Sequence, residues 1–220
     1  MNSLSAAPSK DAETSSNCAR PKAVVFDLGK VLLDFDIGIF IKKIASRSRI
    51  SESALHELLD QSPLLLRFEK GDLTSESFLI EVQRASGFSG DVEDLAPLFA
   101  DIFTPIAPMI DLLTQLRAHG IPTCVFSNTS ALATEHIRRS YGFFNCFTHE
   151  VLSFEHRAMK PDPKLYEVVE RVTNLHENDL LYLDDRQENI VTGAARRWRV
   201  IHHVSPESSI AQLRSTGLLD

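Results

Sequence analysis

The stretch Ala23-Val24-Val25-Phe26-Asp27 is four apolar residues closed by a carboxylate. A run this short, with β-branched residues at its centre, reads as a parallel strand buried on both faces. Two later runs have the same form, Thr123 to Ser127 (TCVFS) and Leu180 to Asp184 (LLYLD), and Arg199 to Val204 (RVIHHV) is a weaker fourth. Each of the first three ends in a polar residue that a loop can present.

Helical patterns separate these runs. Met109, Leu112, Leu113 and Leu116 recur at helical spacing before a Gly120 stop. Leu165, Val168, Val169 and Val172 repeat the spacing behind Pro163, and Ile190, Val191, Ala194, Ala195 and Trp198 form a third stripe. Strands alternating with helices predict an α/β fold, a Rossmann-like parallel sheet covered on both faces. Ligands of such sheets bind beyond the carboxyl ends of the strands. Between Ile37 and Phe103 the pattern changes to four helical stripes with no strand among them, led by Ile37, Leu55, Phe78 and Val92. This predicts a small helical bundle inserted after the first strand. The expected division is a disordered tail over 1–20, an α/β core over 21–36 and 104–220, and the helical insert over 37–103.

The 220 residues suffice for a sizeable core, with 43% apolar and 24% charged side chains. Net charge is −7, from 23 basic and 30 acidic residues, with no Lys/Arg cluster. That balance argues against nucleic acid as a partner, though not against a phosphate substrate, because a bound cation reverses the local sign. No apolar run approaches a membrane span, and the Ser/Ala-rich first twenty residues lack the apolar centre of a signal peptide. Cys18, Cys124 and Cys146 have no metal-type spacing and read as reduced thiols of a cytoplasmic protein. No pattern sets an oligomeric state.

The strand ends carry the candidate chemistry. Asp27 alone reads equally as a turn residue or a helix cap. Ser127-Asn128-Thr129 precedes a helix expected over Ala131 to Arg139, so it is either an ordinary cap or an anion cradle of hydroxyl and free N–H groups. Lys160 lies in Met159-Lys160-Pro161-Asp162-Pro163, where two prolines stiffen the approach to a helix. It is a solvated lysine or one held between carboxylate and phosphate. Asp184 and Asp185 are adjacent acids at a strand end; they repel unless a cation joins them, and Mg²⁺ suits such oxygen ligands.

Taken in order, Asp, Ser, Lys and a double Asp resemble the four motifs of the haloacid dehalogenase superfamily. FDLGKVLLDFD (Phe26 to Asp36) resembles the first motif, FSNTS (Phe126 to Ser130) the second, MKPDPKLY (Met159 to Tyr166) the third and YLDDRQENIVTGA (Tyr182 to Ala194) the fourth. The similarity runs from Lys22 to Val204. It is nearest a helical-cap group that includes α-D-glucose-1-phosphate phosphatase and the amino-terminal phosphatase domain of epoxide hydrolase. LRFEKGDLTSESF (Leu66 to Phe78) is also similar to the cap of that group. The resemblance implies an Mg²⁺-dependent phosphatase of a small phosphorylated metabolite, possible sugar phosphates included. Asp27 is then the nucleophile that forms an aspartyl-phosphate. Asp27, the Gly29 carbonyl and Asp185 are the metal ligands, with Asp184 a further ligand or a supporting group. Ser127, Asn128 and Lys160 bind the phosphoryl group, and Lys160 also positions Asp27.

The pattern departs from the superfamily at two places. Most of its phosphatases carry a second Asp two residues after the nucleophile, as acid and base, where this chain has Gly29. That help is worth roughly 10²–10⁴-fold. Lys30 stands where Gly or Asn is commoner. Two alternatives follow: a 2-haloacid dehalogenase, which also lacks that acid, or a non-catalytic member that binds phosphate ligands. The dehalogenase reading lacks the aromatic residue commonly found after that nucleophile. If the acid is supplied locally, the candidates are Asp34 and Asp36, whose alternative reading is solvated flap residues or caps of the helix starting near Ile37; the one that serves should have its pKa raised by burial.

Overall fold

The computed structural model describes residues 20–219. The expected tail, Cys18 included, lies outside the described residues apart from Arg20. The chain runs β1 (Ala23–Phe26), β2 (Leu33–Phe35), α1 (Ile37–Ala45), α2 (Glu52–Leu59), α3 (Pro63–Glu69), α4 (Ser75–Ser86) and α5 (Val92–Ala100). It continues through β3 (Phe103–Pro105), α6 (Ala107–Ala118), β4 (Thr123–Ser127), α7 (Ala131–Ser140), β5 (His149–Leu152) and α8 (Ser153–His156). It closes with α9 (Pro163–Thr173), β6 (Leu180–Asp184), α10 (Gln187–Ala195), β7 (Arg199–His202) and α11 (Pro206–Ser215).

Five strands form a parallel sheet in the order β5-β4-β1-β6-β7. This is the α/β, Rossmann-like core predicted from the strand and helix patterns. Every residue of β1, β4 and β6 is buried, as central strands covered on both faces must be. Alternation along β1 divides the core. Val24 and Phe26 face α6, α7 and α11 through Leu112, Leu116, Ile137 and Leu213. Val25 faces the opposite layer, where Phe126, Tyr166, Tyr182 and Trp198 pack edge to face or tilted.

Helices α1 to α5 have a separate apolar cluster centred on Phe40, Phe68, Phe78 and Phe99. Phe68 and Phe78 stack at 4.1 Å between ring centroids, and Phe99 meets Phe78 at 5.2 Å. Both connections of this insert to the core pass through one antiparallel ribbon, β2 paired with β3. Four helical stripes were expected in the insert, whereas five helices are present. The additional one, α3, has seven residues behind a Ser62 cap and Pro63, and an exposed Leu66 blurs its stripe. The fifth sheet strand, β5, is a second departure. Its His149-Glu150 start hides an edge strand within an otherwise polar run.

Candidate active site

The parallel sheet aligns the carboxyl ends of β4, β1 and β6 side by side, which brings Ser127, Asp27 and Asp184 to one edge. Lys160 reaches the same edge from the approach to α9. Its Nζ lies 2.9 Å from Asp27 Oδ1 and 2.6 Å from Asp184 Oδ2, and it donates to the Phe126 carbonyl at 2.9 Å. Lys160 is buried, so only the carboxylates can keep it charged; they hold its pKa above the usual lysine value against the cost of burial. One lysine cannot do the same for both acids. Burial raises Asp27 well above the carboxylate range, opposed by Lys160 and reinforced by Asp184 and Asp185.

Asp184 and Asp185 are neighbours in sequence with different surroundings. Asp184 Oδ2 accepts from Lys160 and the Tyr182 hydroxyl, and Oδ1 from the Arg186 N–H and Asn189 Nδ2, both at 2.9 Å. Burial works against its charge, but Lys160 and these donors hold its carboxyl below the usual range. Asp185 is raised instead, by burial and by the Asp184 charge. Its main-chain carbonyl meets His202 Nε2 at 2.9 Å, which ties the loop to the end of β7. Asp27, Asp184 and Asp185 each offer a carboxylate oxygen, all within 4.8 Å of one another. Three acids share one lysine, and burial, together with the charge of their neighbours, raises two of them. A hard dication with oxygen ligands fits this donor set. Both Asp184 oxygens are already taken, whereas among the described residues no other residue donates a hydrogen bond to the Asp185 carboxylate.

Ser127 is buried at the end of β4, and its Oγ makes a long 3.4 Å approach to the Asn128 carbonyl. The Asn128 side chain is committed elsewhere. Its Nδ2 donates to the Lys160 carbonyl at 3.0 Å and its Oδ1 accepts from the Lys160 N–H at 2.7 Å. This two-point clamp fixes the main chain of the lysine, so what Asn128 can offer an anion is its backbone. The Thr129 N–H is likewise taken, by Ser153 Oγ at 2.9 Å.

Both flap candidates are exposed. Asp34 is exposed and paired with Lys30 Nζ, which pulls its carboxyl below the usual range; the expected upward shift does not occur because Asp34 is not buried. Asp36 is the N-cap of α1 and accepts from the Gly38 N–H at 2.8 Å. Lys30 also donates to the Phe35 carbonyl at 2.9 Å. Gly29 follows Asp27 in the loop to β2 and is bridged to Leu33. An open cavity of about 590 Å³ borders this region, lined by Lys30, Asp34, Asp185, His203 and Ser205 among others. Tyr182, Asn189 and the Asn128 clamp escaped the sequence reading. Tyr182 carried a usable signal, since a residue two before Asp184 on a strand shares its face.

The family model of the haloacid dehalogenase-like hydrolases matches residues 21–195, and the chain belongs to that family. It is 22% identical over 200 residues to the sesquiterpene phosphatase astK of Aspergillus oryzae, covering 90% of this chain and 97% of the fungal one. It is 24% identical over 208 residues to mouse acyl-CoA dehydrogenase family member 10, covering 88% of this chain; it spans about a fifth (19%) of that protein's length. A HAD family enzyme of Bacteroides thetaiotaomicron, crystallised with magnesium and inorganic phosphate, shares the fold with a TM-score of 0.72 at 19% identity, over 82% of this chain and 93% of that one. L-2-haloacid dehalogenase of Xanthobacter autotrophicus matches with a TM-score of 0.61 at 16% identity, over 91% and 85% of the two chains.

Proposed function

We propose that this hydrolase is a magnesium-dependent phosphatase of a small phosphorylated metabolite, and that it works through an aspartyl-phosphate on Asp27. The observation that carries the reading is the charge of the cluster: Asp27, Asp184 and Asp185 within 4.8 Å, served by a single buried lysine. A dehalogenase substrate brings no phosphoryl charge to be offset. The fungal phosphatase relative, and the Bacteroides neighbour's magnesium and phosphate, point the same way.

Asp27 and Asp185, with the Gly29 carbonyl, would hold Mg²⁺, and Asp184 would support the site through Lys160. The ion would offset the charge of the acids and of the phosphoryl oxygens. Asp27 attacks phosphorus as the P–O bond to the leaving group breaks and the departing oxygen takes a proton from water, while Lys160 keeps Asp27 oriented and lowers the repulsion of the approach. The Ser127 hydroxyl and the Asn128 backbone face the phosphoryl oxygens. Water then cleaves the aspartyl-phosphate and returns Asp27. Such sites work mainly by positioning and electrostatics. The helical insert acts as the cap over the site. Cys124 and Cys146 are unpaired, which agrees with a reducing compartment such as the cytoplasm. Among the described residues no helix is long and apolar enough to cross a membrane.

The test is hydrolysis of p-nitrophenyl phosphate and of a panel of sugar phosphates, nucleotides and phospho-acids, with Mg²⁺ or with excess chelator. Turnover should need Mg²⁺ and vanish in Asp27→Asn. Full activity in chelator, or chloride release from a 2-chloroacid without phosphatase activity, refutes the reading.

A further inference from the structure

Lys160 Nζ is the junction of the charge cluster. An ammonium has three hydrogens, and three oxygens stand within 2.9 Å of this one: Asp27 Oδ1, Asp184 Oδ2 and the Phe126 carbonyl. Two aromatic rings also face it, with the Phe126 centroid at 5.1 Å and the Tyr182 centroid at 5.9 Å. Lys160, Tyr182 and Asp184 are all buried, so bulk water is no partner for any of them.

Asp184 is saturated in its own way. A carboxylate offers about four acceptor positions, and four donors reach this one, two at each oxygen. The Arg186 N–H and Asn189 Nδ2 meet Oδ1, and Lys160 Nζ and the Tyr182 hydroxyl meet Oδ2. The hydroxyl therefore shares an oxygen with the lysine. Its ring is fixed independently, tilted against Phe126 at 5.5 Å and edge-on to Tyr166 and Trp198 at 6.0 and 5.7 Å. A phenylalanine would keep that packing and lose the hydroxyl alone.

We infer that Tyr182 is a positioning residue: its hydroxyl fills one acceptor position of Asp184 Oδ2 and so leaves the third hydrogen of Lys160 for the nucleophile. The inference rests on the phosphatase reading, in which Asp27 attacks phosphorus. Without the hydroxyl, Oδ2 has an empty acceptor position where no solvent reaches, and a buried acceptor left unpaired is costly. Lys160, 2.6 Å away, is the donor that can turn to fill it. It can give Oδ2 a second hydrogen only by drawing one from another oxygen. Asp27 Oδ1 is the one released, because it keeps the Leu28 N–H at 2.7 Å when the lysine leaves. Asp27 then meets phosphorus with less of its charge offset and its carboxylate less firmly held.

The experiment is Tyr182→Phe, assayed on p-nitrophenyl phosphate with Mg²⁺. Loss of one charge-assisted contact at the nucleophile should lower kcat roughly tenfold. KM should hold, as for an interaction that matters only in the transition state. The Mg²⁺ affinity of the protein, measured by calorimetry without substrate, should hold or rise, because less lysine charge then opposes a cation at Asp27. p-Aminophenylalanine at position 182 restores a donor and should recover most of the lost kcat. An unchanged kcat in Tyr182→Phe, a KM or Mg²⁺ affinity that worsens with the fall, no recovery by the amino variant, or a variant that does not fold each overturns the inference while the phosphatase reading stands. Failure of the wild type to hydrolyse p-nitrophenyl phosphate overturns the phosphatase reading, and this inference with it.

Discussion

Gly29 shows how a single residue constrains the chemistry. A Cβ built there would lie 2.9 Å from the edge of the Phe35 ring, and its φ is not in the left-handed region. The obstacle to an acid at this position is thus one movable side chain rather than the backbone. Gly29→Asp alone should gain little on alkyl phosphates, while Gly29→Asp with Phe35→Leu should gain roughly 10-fold or more, as general acid help returns. Equal rates for the single and double variants would remove Phe35 from the account. Glu69 gives a second residue-scale expectation. Its carboxyl has a pKa near 4.5 when unfolded and about 7 when folded, so the folded state holds the proton more tightly. The linked stability is fully present below pH 4.5 and is lost as pH rises through 7, roughly 3 kcal/mol in all. Urea midpoints of wild type and Glu69→Gln should agree near pH 4.5 and diverge by pH 8, with the variant the more stable; parallel curves would contradict this. The common location of Asp27, Ser127 and Asp184 was legible in sequence, because apolar strands lead straight into them. The saturation of Asp184 was not, because it depends on Asn189 and Lys160, which only the fold brings within 3 Å.

At the scale of elements, the insert is joined to the core by the β2–β3 ribbon and by the seat of α3 on Ser153. Ser153 is buried and bonds the Glu69 carbonyl, the Thr129 N–H and the Thr129 carbonyl at 3.0 Å. Ser153→Ala orphans a buried donor and an acceptor, at a cost of about 1–3 kcal/mol. For a chain of this size that is a fall in Tm of roughly 2–4 °C per kcal/mol. Amide exchange across residues 63–72 should accelerate more than exchange in β1, because the loosened contact is local. Uniform acceleration, or none, would show that α3 is held otherwise. The central strands could be read from sequence because burial on both faces demands continuous apolar runs. The ribbon could not: Leu33-Asp34-Phe35 is three residues long, its last two side chains are exposed, and its partner Phe103–Pro105 lies about seventy residues away. The edge strand β5 was hidden for the same reason, since its outer half needs no apolar pattern.

For the whole molecule, the cluster at the sheet edge sets function against stability. Asp185 is raised by burial and by the Asp184 charge, so in its ionised form it disfavours the folded state. The sign follows from linkage: the folded state binds this proton more tightly than the unfolded chain, and the associated stability is lost as pH rises through the folded pKa. At neutral pH, Asp185→Asn should therefore raise the Tm in the absence of metal, while it impairs turnover. Mg²⁺ bound by the folded state alone should reverse the order. Ligand at a hundred times its Kd adds about 2.7 kcal/mol to the wild type. That corresponds to a rise of several degrees for a chain of this size. Asp185→Asn, lacking a carboxylate to offer, should show little of that rise. Differential scanning calorimetry of both proteins, with Mg²⁺ and with chelator, reads all four values. A variant less stable than the wild type in chelator would mean that Asp185 is a structural acid. An equal Mg²⁺ response in both proteins would place the ion elsewhere and leave the cluster as a buried ion-pair network around Lys160.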